Sequence, residues 1–264
     1  MLLAAAGPLA ACTWSTGLEA GVQDSRWRET DAEGRALLHE RGTLTATHFA
    51  LEASGCRLGE ASLRLALAGG SRHYDGQTSA GNALSTRSDV REQGLTLQAL
   101  PWAWGSARSG ASVQAGARLR WQRSERDIRS TATALGYPER QQRLQAALVL
   151  AARGTGPLPG WHWRAELAAG AGPAGRMKVL LPGYDPATLK LGSSRLLQAG
   201  LHIGGALAPG WSWQVGVEHD REQRSAGEPT ALRRQGQVVG GALQPATRES
   251  ATRLAAGLVW QPGR

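Results

Sequence analysis

Pro159-Gly160-Trp161-His162-Trp163-Arg164 returns fifty positions later as Pro209-Gly210-Trp211-Ser212-Trp213-Gln214. After the first copy, Ala165, Leu167, Ala169 and Ala171 alternate with Glu166, Ala168 and Gly170; after the second, Val215 and Val217 alternate with Gln214, Gly216 and Glu218. An apolar residue at every second position is the period of a β-strand. A turn followed by two tryptophans on the apolar face fits the edge of a membrane-spanning strand, because indole is most stable where hydrocarbon meets headgroups. The period then reads as one strand, one long loop, a second strand and one tight turn. Both copies mark strands entering the same membrane face.

The rest of the chain extends this pattern. Its 264 residues include 35 glycines and ten tryptophans against one phenylalanine, Phe49, which suits one all-β domain of short strands. No run of eighteen apolar residues exists, so a transmembrane helix is excluded and membrane residence requires a closed sheet. Ten strands are expected. They lie near Trp14–Trp27, Gly42–Ala53, Leu63–Leu67, Leu95–Ala99, Ala111–Trp121, Arg143–Arg153, the two copies of the phrase, Leu197–Leu207 and Leu254–Trp260. Short connections (54–61, 101–110, 154–160, 208–210) alternate with long ones (29–42, 74–91, 123–141, 173–192, 222–250). Trp14, Trp102, Trp104, Trp161, Trp163, Trp211, Trp213 and Trp260 fall at the short-turn end, and Trp27 and Trp121 at the long-loop end. The expectation is a ten-stranded antiparallel up-and-down transmembrane β-barrel in a bacterial outer membrane, with periplasmic termini, short periplasmic turns and long extracellular loops.

The net charge of +9 is spread through polar segments, without the helix-turn-helix, zinc-finger or basic-aromatic patterns of nucleic-acid binders, so no nucleic-acid partner is expected. Arginines instead gather at the long-loop end. Arg123, Arg126, Arg176, Arg233 and Arg234 are the candidate binding residues, suited to phosphates of outer-membrane lipid and lipopolysaccharide or to an external ligand. Insertion of such a barrel also implies the barrel-assembly machinery as a partner. Met1 to Ala11 reads as the remnant of a signal peptide, leaving 12–264 as one barrel domain. Cys12 and Cys56 fall at the same periplasmic rim, where an oxidising compartment favours a disulfide; lipidation of Cys12, or its removal with the signal, are the other readings.

No nucleophile elbow, HExxH, phosphate-binding glycine loop or CxxC pair is present, and neither cofactor nor metal is expected. Acid and imidazole remain near the long-loop rim, in His73 with Asp75, in Asp89, and in His219 beside Asp220. Together they could activate a water. In strand count and loop alternation the whole chain resembles the omptins, outer-membrane proteases with an Asp/His site on the extracellular rim. Their motifs, two acids separated by one residue and Asp-x-His, are replaced here by His73-Tyr74-Asp75 and His219-Asp220. The resemblance implies a rim hydrolase as one alternative. Arg64, Arg118, Arg120, Arg164, Glu166 and Glu218 take the parity opposite the apolar residues and are expected in the lumen, where they plug it or line a small anion-selective pore. The leading expectation is a structural or surface-binding barrel acting through its arginine-rich loops.

Overall fold

The computed structural model describes residues 12–56, 59–77, 81–106 and 110–262. Its strands are β1 (Thr13–Thr30), β2 (Ala36–Cys56), β3 (Gly59–Gln77), β4 (Ala83–Ser106), β5 (Ala111–Ile128), β6 (Tyr137–Thr155), β7 (Trp161–Gly172), β8 (Arg176–Val179), β9 (Ala187–Lys190), β10 (Ser194–Ala208), β11 (Trp211–Arg224), β12 (Thr230–Arg234), β13 (Gln237–Ala242) and β14 (Ala246–Trp260). Antiparallel pairing runs β1 through β7, then β10, β11 and β14, and β14 returns to β1. Ten strands thus close into a barrel with no open edge, which satisfies every strand's hydrogen bonds inside a membrane. The expected Met1–Ala11 signal remnant lies outside the described residues.

The repeated phrase marks two periplasmic turns. Gly160 (φ 79°) and Gly210 (φ 73°) take the left-handed conformation that a side chain resists, which explains a glycine before each tryptophan pair. Trp161 and Trp213 meet edge to face at 5.3 Å, and Trp211 lies 6.5 Å from Trp260. Trp14, Trp102 and Trp104 are also exposed and complete a girdle at this end. Trp121 faces outward too, but Trp27 points inward and is buried. Its odd position on β1, against the even Trp14, Leu18 and Val22, is the cause.

Apolar residues cover the outside of the lower barrel. Leu18, Val22, Leu63, Leu65, Leu67, Leu95, Leu97, Leu148, Leu150, Leu167, Leu201, Val217 and Leu254 are all exposed, while residues of the other parity, such as Glu19, Gln98, Arg118 and Glu218, are buried. A water-soluble barrel has the reverse arrangement, so this is the fold of a membrane-spanning outer-membrane barrel.

The strands run well beyond this belt. β1 carries Asp24, Arg26 and Arg28 outward above Val22, and the described parts of the segments expected as long loops at 29–42, 74–91 and 123–141 are largely strand, with connections of only 31–35 in the first and 129–136 in the third. Above the membrane both faces of a strand are polar, so the alternation that reveals a strand disappears while the pairing continues. Where β7 ends, β8 takes over the pairing with β6 and β9 pairs with β8. Met177, Val179, Leu189 and Leu191 form a small core beneath these strands. The β12–β13 turn is held by Asp185, which accepts from the amides of Gln235 (3.2 Å) and Gly236 (2.9 Å), and Arg234 stacks on Tyr184 at 5.1 Å. The two longest loops therefore form one docked unit.

Cys12 is disulfide-bonded, and the pairing of Thr13 with Ser54 brings the end of β2 beside it. The Cys56 side chain lies outside the described residues.

A guanidinium placed on the lipid-facing side should be expensive only within the belt. Leu148→Arg, at a site 75% exposed, is expected to lower unfolding stability in vesicles by about 2–4 kcal/mol, whereas Ser71→Arg, above the belt, changes it little. Urea titration followed by heat-modifiable gel migration measures both.

Candidate functional site

Inward side chains from all ten wall strands converge on the lumen, and they form layers of paired charge. Nearest the periplasm, Glu60 accepts from Arg153 (2.8 Å) and from Arg164, which also reaches Glu166. In the next layer Arg118 donates to Gln98, Gln198 and Glu166. Beside it, Glu218 receives Arg64 (2.6 Å), Arg253 (2.8 Å) and His202 (3.3 Å). His202 has room because its cross-strand partner is Gly216, where a Cβ would lie 2.3 Å from the ring. Glu19 holds His48 at 3.4 Å and accepts from Gln214 at 2.5 Å. Higher still, Arg120 faces Asp220 (3.3 Å), Arg72 bridges Ser25 and Glu92 (both 2.6 Å), and Arg143 joins Glu222 (2.9 Å) to Glu249 (2.8 Å).

A cavity of about 690 Å³ runs through these layers from Trp104 and His162 near the periplasmic rim to Glu92 and Glu249. Eight acidic and seven arginine side chains line it, so its field has no strong sign. Above it lies a second, buried cluster. Arg126 lies 2.8 Å from Glu139, 3.4 Å from Glu40 and 3.5 Å from Glu29, with its guanidinium over Trp27 at 5.3 Å. The Trp27 indole donates to Glu29 (2.9 Å), Ser88 to Glu40 (2.7 Å), and Gln244 to Glu29 (3.1 Å). Trp27, Leu38, Tyr74 and Ile128 pack together beside these pairs, with Leu84 and Tyr137 against them. This cluster is level with the charged outward residues Arg28, Asp127 and Arg140 and so lies above the membrane. Burial raises the Glu139 carboxyl above its ordinary range, since one arginine cannot neutralise three neighbouring carboxylates, and pushes the Tyr74 hydroxyl up to about 12.

Of the rim candidates, His73 and Asp75 come together, whereas His219 and Asp220 do not. His219 and Asp220 are adjacent on β11 and so face opposite sides of the wall. His219 points outward, its Nδ1 2.9 Å from the Thr252 hydroxyl, while Asp220 points inward to Arg120. His73 and Asp75 share the outward face at 3.1 Å, with the Ser85 hydroxyl 3.4 Å away, but both partners meet the same ring nitrogen, Nε2. A relay needs the acid on one nitrogen and the nucleophile on the other. Asp89 is outward and held by Arg129 at 2.7 Å.

The binding candidates divide as well. Arg126 is buried in the second cluster, and Arg123 lies outside the wall, paired with Glu125 at 2.5 Å. Arg176, Arg233 and Arg234 are exposed on β8 and β12. Arg64, Arg118, Arg120, Arg164, Glu166 and Glu218 all face the lumen. Sequence reasoning missed Glu29, Glu40, Glu139, Arg72 and Arg143. Extending the lumen parity of Glu19 and Gln23 upward to Trp27 and Glu29 was the available signal.

No family model and no curated protein matches the chain. Among solved structures, the outer membrane protease OmpT from Escherichia coli matches with a TM-score of 0.58 at 10% identity, over 94% of this chain and 96% of that one. The outer membrane protein OprG from Pseudomonas aeruginosa has a TM-score of 0.39 at 9% identity, over 97% of each chain. At such identities the likeness to the protease is one of fold, a ten-stranded outer-membrane barrel.

The second cluster gives two expectations. Arg126→Met leaves three buried carboxylates uncompensated and should cost about 3–5 kcal/mol in unfolding stability. Because the Glu139 pKa is raised in the folded barrel, its contribution is present in acid and is lost as pH rises from the ordinary carboxylate value through the raised one. Glu139→Gln should therefore gain on the native barrel over that interval, as read by urea unfolding across pH.

Proposed function

We propose that the chain is an outer-membrane surface protein whose barrel is an occluded support for its extracellular strand extensions and loops. The observation that carries this reading is the Arg126 cluster above the lumenal cavity, in which one guanidinium ties β5 to carboxylates on β1, β2 and β6. A path for solutes would have to break these buried pairs, each of which is costly to open. The near balance of acids and arginines along the cavity speaks against anion selectivity, and the separation of His219 from Asp220 speaks against hydrolysis at the rim. What the barrel offers to the outside is a docked pair of loops with exposed Arg176, Arg233 and Arg234. Their guanidiniums suit phosphate-bearing partners, lipopolysaccharide first among them, and the barrel-assembly machinery is the partner expected during insertion.

In planar bilayers the purified barrel is expected to leave the baseline current of a protein-free membrane unchanged. Regular conductance steps would overturn the occluded reading. Cleavage of peptide substrates that disappears in His219→Ala would overturn the non-enzymatic one.

A further inference from the structure

The docked loop unit ends in a hairpin with one covered and one open edge. β12 and β13 form a two-stranded sheet of their own. On the β12 side the connection between β8 and β9 covers the backbone. There the Asp185 amide donates to the Arg233 carbonyl (2.8 Å), and Arg234 donates to the Gly183 carbonyl (2.8 Å). Along the other side of β13 no strand pairs, among the described residues. Gln237, Val238, Val239, Gly240 and Gly241 are all exposed.

A free strand edge offers its amides and carbonyls to any extended chain, and proteins ordinarily blunt it with charge, proline or a bulge. From Gln235 to Gln244 this chain has no charged residue and no proline. One register shift, between Leu232 and Arg233, leaves Gln237–Val238 and Gly240–Ala242 regularly paired with β12. The glycines are a second sign. Glycine weakens a strand, and it is kept where a left-handed backbone or a close approach demands it. In the wall, a Cβ at Gly116 or Gly170 would lie 1.9 or 2.2 Å from a carbonyl oxygen, so the fold itself requires those glycines. At Gly240 a Cβ would meet nothing within 4 Å, and at Gly241 only the Thr230 carbonyl at 3.7 Å. Neither has a positive φ. Among the described residues nothing uses the space these two glycines leave, whereas the side chains of an added strand can lie against such a bare backbone.

The charge around the edge selects the occupant. The two loops, 173–193 and 225–245, hold Arg176, Lys178, Lys190, Arg233 and Arg234 against two acids, Asp185 and Glu228. Both acids are engaged within the unit, Asp185 by the turn amides and Glu228 by Lys190 at 2.7 Å. Arg233 and Arg234 stand across the hairpin from Val238 and Gln237. A second copy of the chain would bring the same positive charge against this one, while an acidic segment is drawn to it.

We propose that the open edge of β13 takes up an extended acidic peptide segment of another protein as a third strand. Main-chain hydrogen bonds form along Gln237–Ala242, and carboxylates of the added strand face the field of Arg233 and Arg234. Strand addition draws its affinity from the backbone and its specificity from the side chains of the added segment. The site rests on the surface-protein reading above and gives it a peptide partner.

The test uses the full-length barrel in phosphatidylcholine vesicles and a capped peptide alternating glutamate with valine. The peptide should bind at low ionic strength and slow hydrogen exchange at amides within Gln237–Ala242 at least roughly tenfold, as read by mass spectrometry. The same peptide with lysine for glutamate should do neither. Gly240→Pro, Gly241→Pro removes two amides and should abolish the protection, while Arg233→Gln, Arg234→Gln should weaken binding at least roughly tenfold. Absence of binding overturns the proposal, as does binding without protection of Gln237–Ala242 or equal protection by the lysine peptide. Protection that appears without peptide and grows with protein density in the vesicle assigns the edge to a second copy and overturns it too. If the proline variant loses the hairpin, judged by fast exchange throughout β12, Val238→Glu, Val239→Glu places repelling charge on the edge instead, and undiminished protection there overturns the proposal equally. Bilayer conductance decides the occluded lumen independently, so failure of the edge and failure of the barrel reading are told apart.

Discussion

A charge that faces the inside of a narrow membrane barrel has little water to solvate it and must find a partner across the lumen. That requirement governs this structure. Arg118 reaches β4, β7 and β10, and Glu218 on β11 gathers Arg64 from β3 and Arg253 from β14, so strands distant in sequence are tied together inside the barrel. Removing one member of such a pair leaves an uncompensated buried charge, worth about 3–5 kcal/mol. Each cross-lumen pair therefore both stabilises the wall and narrows the route through it.

The same alternation that builds the network limits what chemistry the rim can do. On a strand, neighbours in sequence face opposite ways, so a histidine and an aspartate side by side cannot act together. His219 bonds Thr252 on the outer surface while Asp220 neutralises Arg120 within. The fold is shared with an outer membrane protease, yet here His219 and Asp220 stand on opposite sides of the wall. What accumulates above the membrane instead is arginine, inside the wall as Arg126 in the buried cluster and outside it as Arg233 and Arg234 on β12.

Within the membrane the architecture was legible residue by residue. Leu63, Leu65 and Leu67 against Arg64, and the tryptophan pairs after each Pro-Gly, placed strand, face and membrane edge, because there one face meets hydrocarbon and the other does not. Above the membrane that contrast is absent. β2 and β4 continue through Ala36–Gly42 and Ala83–Arg91, stretches whose polarity suggests loops, and Trp27, expected only at the long-loop end of the wall, is buried inside it. Arg126 was grouped with surface-binding arginines for the same reason, since a polar stretch does not reveal which of its residues lies inside. Parity carried upward from Glu19 and Gln23 on β1 would have placed Trp27, and parity carried upward from Arg118 and Arg120 on β5 would have placed Arg126.

The central claim is that the lumen is shut from the extracellular side by the cluster around Arg126. Thr96 lines the cavity beneath that cluster, and a cysteine placed there reports access directly. With Thr96→Cys in intact cells, a membrane-impermeant maleimide added outside should leave the native barrel unlabelled, and label it once it is unfolded in detergent. Rapid labelling of the folded barrel from outside would contradict the account.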